Sequence, residues 1–131
     1  MGLDNGIVMR FKGSFEVPKY VKIEKAYETK PEMPEWDICY WRKFWGLRDE
    51  IVAVIPNSNY DGGEYDVSIK TLKRIQDIIY EQLKHPEKWD SPIWDFNEVI
   101  NVLAQDIVNI SWLIKFLRSE PHASAYFYDS Y

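Results

Sequence analysis

Between Asp37 and Ile55 the apolar residues recur at helical spacing. Projected at about 100° per residue, Trp41, Phe44, Trp45, Val52 and Ile55 share one broad face. This pattern predicts a first helix over Asp37–Ile55, with Asp37 as N-cap after the break at Lys30-Pro31-Glu32-Met33-Pro34 and Pro56 as its stop. A more regular stripe of Leu72, Ile75, Ile79 and Leu83 predicts a second helix, capped by Ser68 and ending at His85-Pro86. Ser91-Pro92 opens a third, roughly Trp94 to Arg118, with Phe96, Val99, Ile100, Leu103, Ile107, Ile110, Leu113, Ile114 and Leu117 on one side. Outside the helices, Asp4-Asn5-Gly6 reads as a turn, Ile7–Phe11 and Phe15–Tyr27 as strands around Lys12-Gly13-Ser14, and Asn57–Glu64 as a polar loop. Ala125-Tyr126-Phe127-Tyr128 has the aromatic content of a final strand. Strands at both ends with helices between predict an α+β fold. A small antiparallel sheet of N- and C-terminal strands packs with three helices in a single domain over residues 1–131.

Two charges interrupt these apolar faces. Arg48 falls in the middle of the first helix's face and Asp106 inside that of the third, between Val99 and Leu113. A guanidinium does not lose its proton and is costly to bury alone, so Arg48 calls for a carboxylate or an anionic ligand. The structural expectation is an Arg48–Asp106 ion pair that fixes helix register. The functional expectation leaves Arg48 open to a cleft, as a fork for phosphate or carboxylate beside a ring from Trp41, Trp45 or Tyr40. The two are compatible if Asp106 orients Arg48 from behind. The first helix's apolar arc spans roughly 200°, wider than one core-facing side requires. Together with the Trp112/Phe116 flank of the third helix, it predicts a contact surface and a homo-oligomer.

Composition narrows the classes. The chain has 131 residues, of which 46% are hydrophobic and 28% charged, as in a globular protein, whereas 16% aromatic is high. A net charge of −5 and a pI near 5.0 argue against general nucleic-acid binding, which draws its affinity from many cations. The positive charge is local: Lys19, Lys22, Lys25 and Lys30, then Arg42, Lys43 and Arg48. Cys39 is the sole cysteine, which excludes an intramolecular disulfide, makes a thiolate metal site improbable and fits a reducing cytoplasm. No 18-residue apolar run is evident, and the start lacks basic and hydrophobic leader regions, so neither export nor membrane spanning is expected.

Catalytic patterns are missing from the sequence. His85 and His122 lie beside prolines without metal-ligand or triad spacing, Asp49-Glu50 and Glu64/Asp66 read as solvent-facing charge, and no phosphate loop or nucleophile elbow occurs. No metal site and no cofactor are expected.

Three blocks carry a resemblance: Gly2-Leu3-Asp4-Asn5-Gly6-Ile7, then Cys39 to Ile51 (CYWRKFWGLRDEI), then Phe127-Tyr128-Asp129-Ser130-Tyr131. They are similar to a group of small proteins encoded by phages and prophages of Gram-positive bacteria. The resemblance implies an origin rather than a mechanism, a host-cell cytoplasmic location, and a counter-defence role. If the terminal strands are neighbours, Asp4, Asn5, Arg48, Asp129 and Tyr131 converge near one end of the aromatic helix. The expected function is non-catalytic sequestration of a nucleotide-like anion, with Trp41, Trp45 or Tyr40 stacking on a base and Arg48, Arg42 or Lys43 meeting phosphate. The alternatives are a protein-interaction module acting on a host protein and, third, a nucleotide hydrolase.

Overall fold

Chain order in the computed structural model is β1 (Asp4–Arg10), β2 (Glu24–Lys25), β3 (Glu35–Arg42), α1 (Trp45–Val54), β4 (Gly63–Asp66), α2 (Ile69–Lys84), α3 (Phe96–Ser119) and β5 (Ser124–Ser130). The structure describes residues 3–26, 32–58, 62–85 and 95–130. Its five strands form one antiparallel sheet in the order β2-β3-β1-β5-β4, so the two terminal strands lie side by side at its centre. The expected α+β architecture is present.

Alternation along the central strands sets two faces. Ile7 and Met9 of β1, Cys39 and Trp41 of β3, and Ala125 and Phe127 of β5 all join the buried core with α1, α2 and α3. On the other face Arg10 lies 4.0 Å over the Tyr126 ring and pairs with Glu35 at 2.9 Å, while Tyr40 donates to Asp4 at 2.8 Å. Gly6 belongs to β1 rather than to a turn. A Cβ there would sit 2.2 Å from the Cys39 carbonyl oxygen and 3.0 Å from Cε1 of Tyr128. Gly6→Ala should therefore lower stability by about 1–3 kcal/mol or more, read as a shifted denaturant midpoint with the slope unchanged.

The main departure from expectation is β3. Residues 37–42 are strand, and helix α1 is only its second half, Trp45–Val54. Pairing with β1 slips between Ile7, opposite Cys39, and Val8, opposite Asp37, which leaves Ile38 as an extra bulged residue. The bulge breaks the period of two. Ile38, Trp41 and Phe44 then fall three apart and imitate a helix. Lys43, with φ 55, turns the chain out of the strand, and its N–H donates to the Leu3 carbonyl at 2.7 Å.

α2 and α3 match their predicted spans, with Ser68 accepting from the Thr71 N–H and Asp95 forming a capping box with Glu98. The loop expected before α2 contributes β4, which pairs with β5. The strand expected over Phe15–Tyr27 is reduced to Glu24–Lys25, and Tyr27 lies outside the described residues. Phe15 instead packs edge-on against Phe11, Trp36 and Phe116 and tilted against Trp112, at ring distances of 5.0–5.9 Å. The Trp112/Phe116 flank is thus covered from within the chain.

Asn97–Ser119 of α3 is long and apolar enough to cross a membrane by length and composition, with a mean hydropathy of 1.3 in its most apolar window. In the fold, Val99, Leu103, Ile110 and Leu113 of that helix are core residues, and it packs on α2 and β3.

Candidate functional site

Arg48 and Asp106 do not pair; each has another partner. Arg48 projects from the first turn of α1 onto β5, where Nη2 lies 2.7 Å from Asp129 Oδ2 and Nε donates to both Asp129 oxygens at 3.1 Å. Nη1 donates to Asp49 at 2.9 Å, and the guanidinium carbon stands 6.0 Å from the Trp45 ring centre. The Asp129 side chain is 0% exposed and that of Arg48 is 5% exposed. Hydrogen bonding by Asp129 raises the Arg48 pKa further above its ordinary value. The fork expected to meet a ligand is therefore occupied by a carboxylate of its own chain.

The other expected ligand residues separate accordingly. Trp41 is 0% exposed and lies in the core, so it offers no stacking surface. Tyr40 and Trp45 are exposed but on different elements, and the Arg42 side chain, more than half exposed, leans toward Asp4 at 3.8 Å. Lys43 occupies the left-handed turn between β3 and α1. Asn5 is buried between Trp41 on β3 and Asp129 on β5, and among the described residues neither of its amide atoms has a hydrogen-bond partner. Tyr131 lies outside the described residues. Asp4, Asn5, Arg48 and Asp129 do gather near the end of the sheet where β1 begins, as polar closure of the fold.

Asp106 opens a different site. Its Oδ2 accepts the Trp41 indole N–H at 2.8 Å, and the Cys39 thiol is its second partner. Burial pushes the carboxyl up to about 7, against the opposing pull of these two donors. The same burial, reinforced by the Asp106 charge, pushes the Cys39 thiol well above its ordinary value and makes it a poor nucleophile. Beside Asp106 lies a cleft of about 620 Å³ between β3, α3 and the segment 21–24. That volume suits a small molecule.

The walls of the cleft follow from α3. Asn101, Gln105 and Asn109 recur every fourth residue, so they line one side of the helix. Asn109 receives the Lys22 N–H at 3.0 Å and donates to the Lys22 and Ile38 carbonyls at 2.9 and 3.0 Å. Gln105 donates to the Tyr20 carbonyl and to Asn109 at 2.8 and 2.9 Å. These amides stitch an irregular segment to the helix by satisfying its main chain. The bulge at Ile38 exposes the carbonyl that Asn109 caps. Val21, Ile23 and Val102 supply apolar lining, while Asp37 and Tyr40 border it through the β3 main chain, their side chains lying with Val8 and Asp4 on the sheet face opposite the helices. Burial, then the charges of Glu24 and Glu35, raise the Asp37 pKa.

Asp106 stands out in the sequence as a misplaced charge, whereas the amides do not. The usable signal was the four-residue repeat of Asn101, Gln105 and Asn109 inside an otherwise apolar helix. No group of three His, Cys, Asp or Glu side chains able to hold a metal ion occurs among the described residues. No protein-family model matches the chain, and neither a curated protein nor a solved structure shows significant similarity to it.

Proposed function

We propose that this chain is a non-catalytic binding protein that holds a small molecule in the cleft between β3 and α3, in a counter-defence role of the kind implied by its resemblance to phage and prophage proteins. One observation carries the reading: a cavity of ligand size walled by side chains whose hydrogen bonds already fix its shape. Preformed walls reduce the ordering cost of binding. Sequestration needs affinity and no reaction, which fits a site whose thiol is held protonated and whose buried carboxylate has no nucleophile to serve. A nucleotide would enter by its base rather than by its phosphates, because Arg48 is committed to Asp129.

The protein-interaction alternative, and the homo-oligomer, would draw on Tyr20, Tyr40, Trp45 and Tyr80, which are exposed in different segments of the chain. Native mass spectrometry of the protein recovered from cells separates these readings. The expected result is a retained small mass, lost in Asn101→Trp, which fills the cleft from an exposed helix position. Recovery of the bare chain or of a co-purifying host protein, with no small mass under gentle conditions, would count against sequestration.

A further inference from the structure

The cleft lies where the sheet's outer strand stops short. β2 pairs with β3 only at Glu24–Asp37 and Lys25–Trp36. Asn109 ends the pairing there. Its side chain receives the Lys22 N–H and donates to both the Lys22 and Ile38 carbonyls, so one amide stands between the two main chains where the ladder would continue. Gln105 holds the Tyr20 carbonyl to α3 in the same way. The segment 20–23 is thereby drawn onto the helix, and the cleft opens between it and Ile38–Tyr40.

Among the described residues no outer strand pairs with Ile38–Arg42. Main-chain groups along β3 alternate in direction, as an antiparallel ladder requires. The Lys43 N–H turns inward to the Leu3 carbonyl. In the register that pairs Arg42 with Asp4, Trp41 with Asn5 and Tyr40 with Gly6, the groups of Trp41 and Cys39 therefore also face β1, and those of Tyr40 and Arg42 face outward. Two donors and two acceptors thus stand about 7 Å apart along an edge, the template that another strand uses. The wall on the helix side is apolar through Val21, Ile23 and Val102.

We infer that the cleft receives a short peptide in extended conformation, added to β3 as an antiparallel strand in line with β2. Its main chain pairs with Tyr40 and Arg42, and alternate side chains enter the cleft against Val21, Ile23 and Val102. The inference rests on the binding role proposed above and names the ligand's chemical class. Main-chain pairing supplies affinity with little demand on sequence, and the apolar strip favours a β-branched or aliphatic residue at every second position. Residues opposite Tyr40 and Arg42 present their side chains on the sheet face away from the helices, whereas the residue opposite Trp41 points into the cleft. A second copy of the chain suits this edge less well, because its β3 carries its own α3 on the same face.

The test is amide-resolved NMR with hydrogen exchange on the whole chain, using an end-blocked pentapeptide of alternating threonine and valine that begins and ends in threonine. Two analogues, N-methylated on the threonines or on the valines, separate main-chain pairing from side-chain burial. With valine in the cleft the threonine N–H groups face β3, and a slip of one residue would turn valine out to the other face. The parent peptide and the valine-methylated analogue should shift amides at 21–23, 38–42 and 101–105 and slow exchange of the Tyr40 and Arg42 amides. Threonine methylation should weaken binding about tenfold or more, the loss of two neutral hydrogen bonds. Tyr40→Pro removes one outward N–H at an edge position where proline is tolerated, and should weaken binding as well. The methylated peptides give their answer without altering the protein. Equal binding by both analogues, or shifts confined to β4 at the other edge of the sheet, would overturn strand addition. So would a dimer of the free chain in which the Tyr40 and Arg42 amides already exchange slowly, since the edge would then belong to a second copy. If no peptide binds while a retained mass is still lost in Asn101→Trp, strand addition fails and the binding role survives. If no retained mass exists either, both fail.

Discussion

Arg48→Gln should lower stability by about 3–5 kcal/mol, because it strands the Asp129 carboxylate where water does not reach it. In thermal unfolding this corresponds to a fall on the order of 10–20 °C for a chain of this size. Asp129→Asn should cost a comparable amount by stranding the guanidinium, although Asp49 remains as a partner at 2.9 Å and softens the loss. The double variant should be more stable than the sum of the single losses, with coupling of about 1–3 kcal/mol. A parallel cycle joining Arg48→Gln to Asp106→Asn should be additive within about 0.5 kcal/mol, since Asp106 bonds Trp41 and Cys39 whereas Arg48 bonds Asp129 and Asp49. Strong coupling in the second cycle and none in the first would show that the helices pack differently.

The second large effect is a dependence of stability on pH that runs opposite to ordinary acid denaturation. The Asp106 pKa is raised from 3.8 to about 7 by burial. Between these values the folded chain binds a proton at this site that the unfolded chain has lost. Stability from Asp106 is therefore complete below the unfolded value and declines as pH rises through about 7, by up to about 4 kcal/mol. Asp106→Asn removes the ionisation while keeping an acceptor for Trp41. The variant should match the native chain near pH 4 and exceed it by the largest margin above pH 8, as read from denaturant midpoints across the range. A variant less stable than the native chain at every pH would contradict this dependence.

Much of the fold was legible where local pattern and tertiary environment agree. α2 and α3 carry caps and apolar stripes that packing only reinforces, and Ile7 and Phe127 sit in short apolar runs that could fill the centre of a sheet. The first helix was misjudged because one bulged residue, Ile38, resets strand alternation to a spacing that mimics a helix turn. The same spacing displaces the site: on one helix, Trp41 and Arg48 would both face a ligand. In the fold Trp41 hangs from the sheet toward α3, and Arg48 reaches from α1 to β5. Which carboxylate Arg48 meets depends on contacts 81 residues apart. Asp129 was nevertheless readable as inward, since it shares strand parity with Ala125 and Phe127. The cleft was the least legible feature. It arises from a segment, 20–23, that has no regular structure and whose main chain is satisfied by Gln105 and Asn109.

Arg10, Glu35, Glu64 and Tyr126 form a polar cluster on the sheet face opposite the helices, with Arg10 within 3.3 Å of both carboxylates. There Arg10 is the protein's own cation for both carboxylates.

The most direct measurement of where the chain binds is amide-resolved NMR of the labelled protein against the dialysable small-molecule fraction of a host-cell lysate. The account predicts shifts clustered at 21–24, 37–40 and 101–109, absent in Asn101→Trp. Shifts confined to Arg42–Asp49 and Asp129, unchanged in that variant, would return the site to the aromatic-arginine segment and contradict the account.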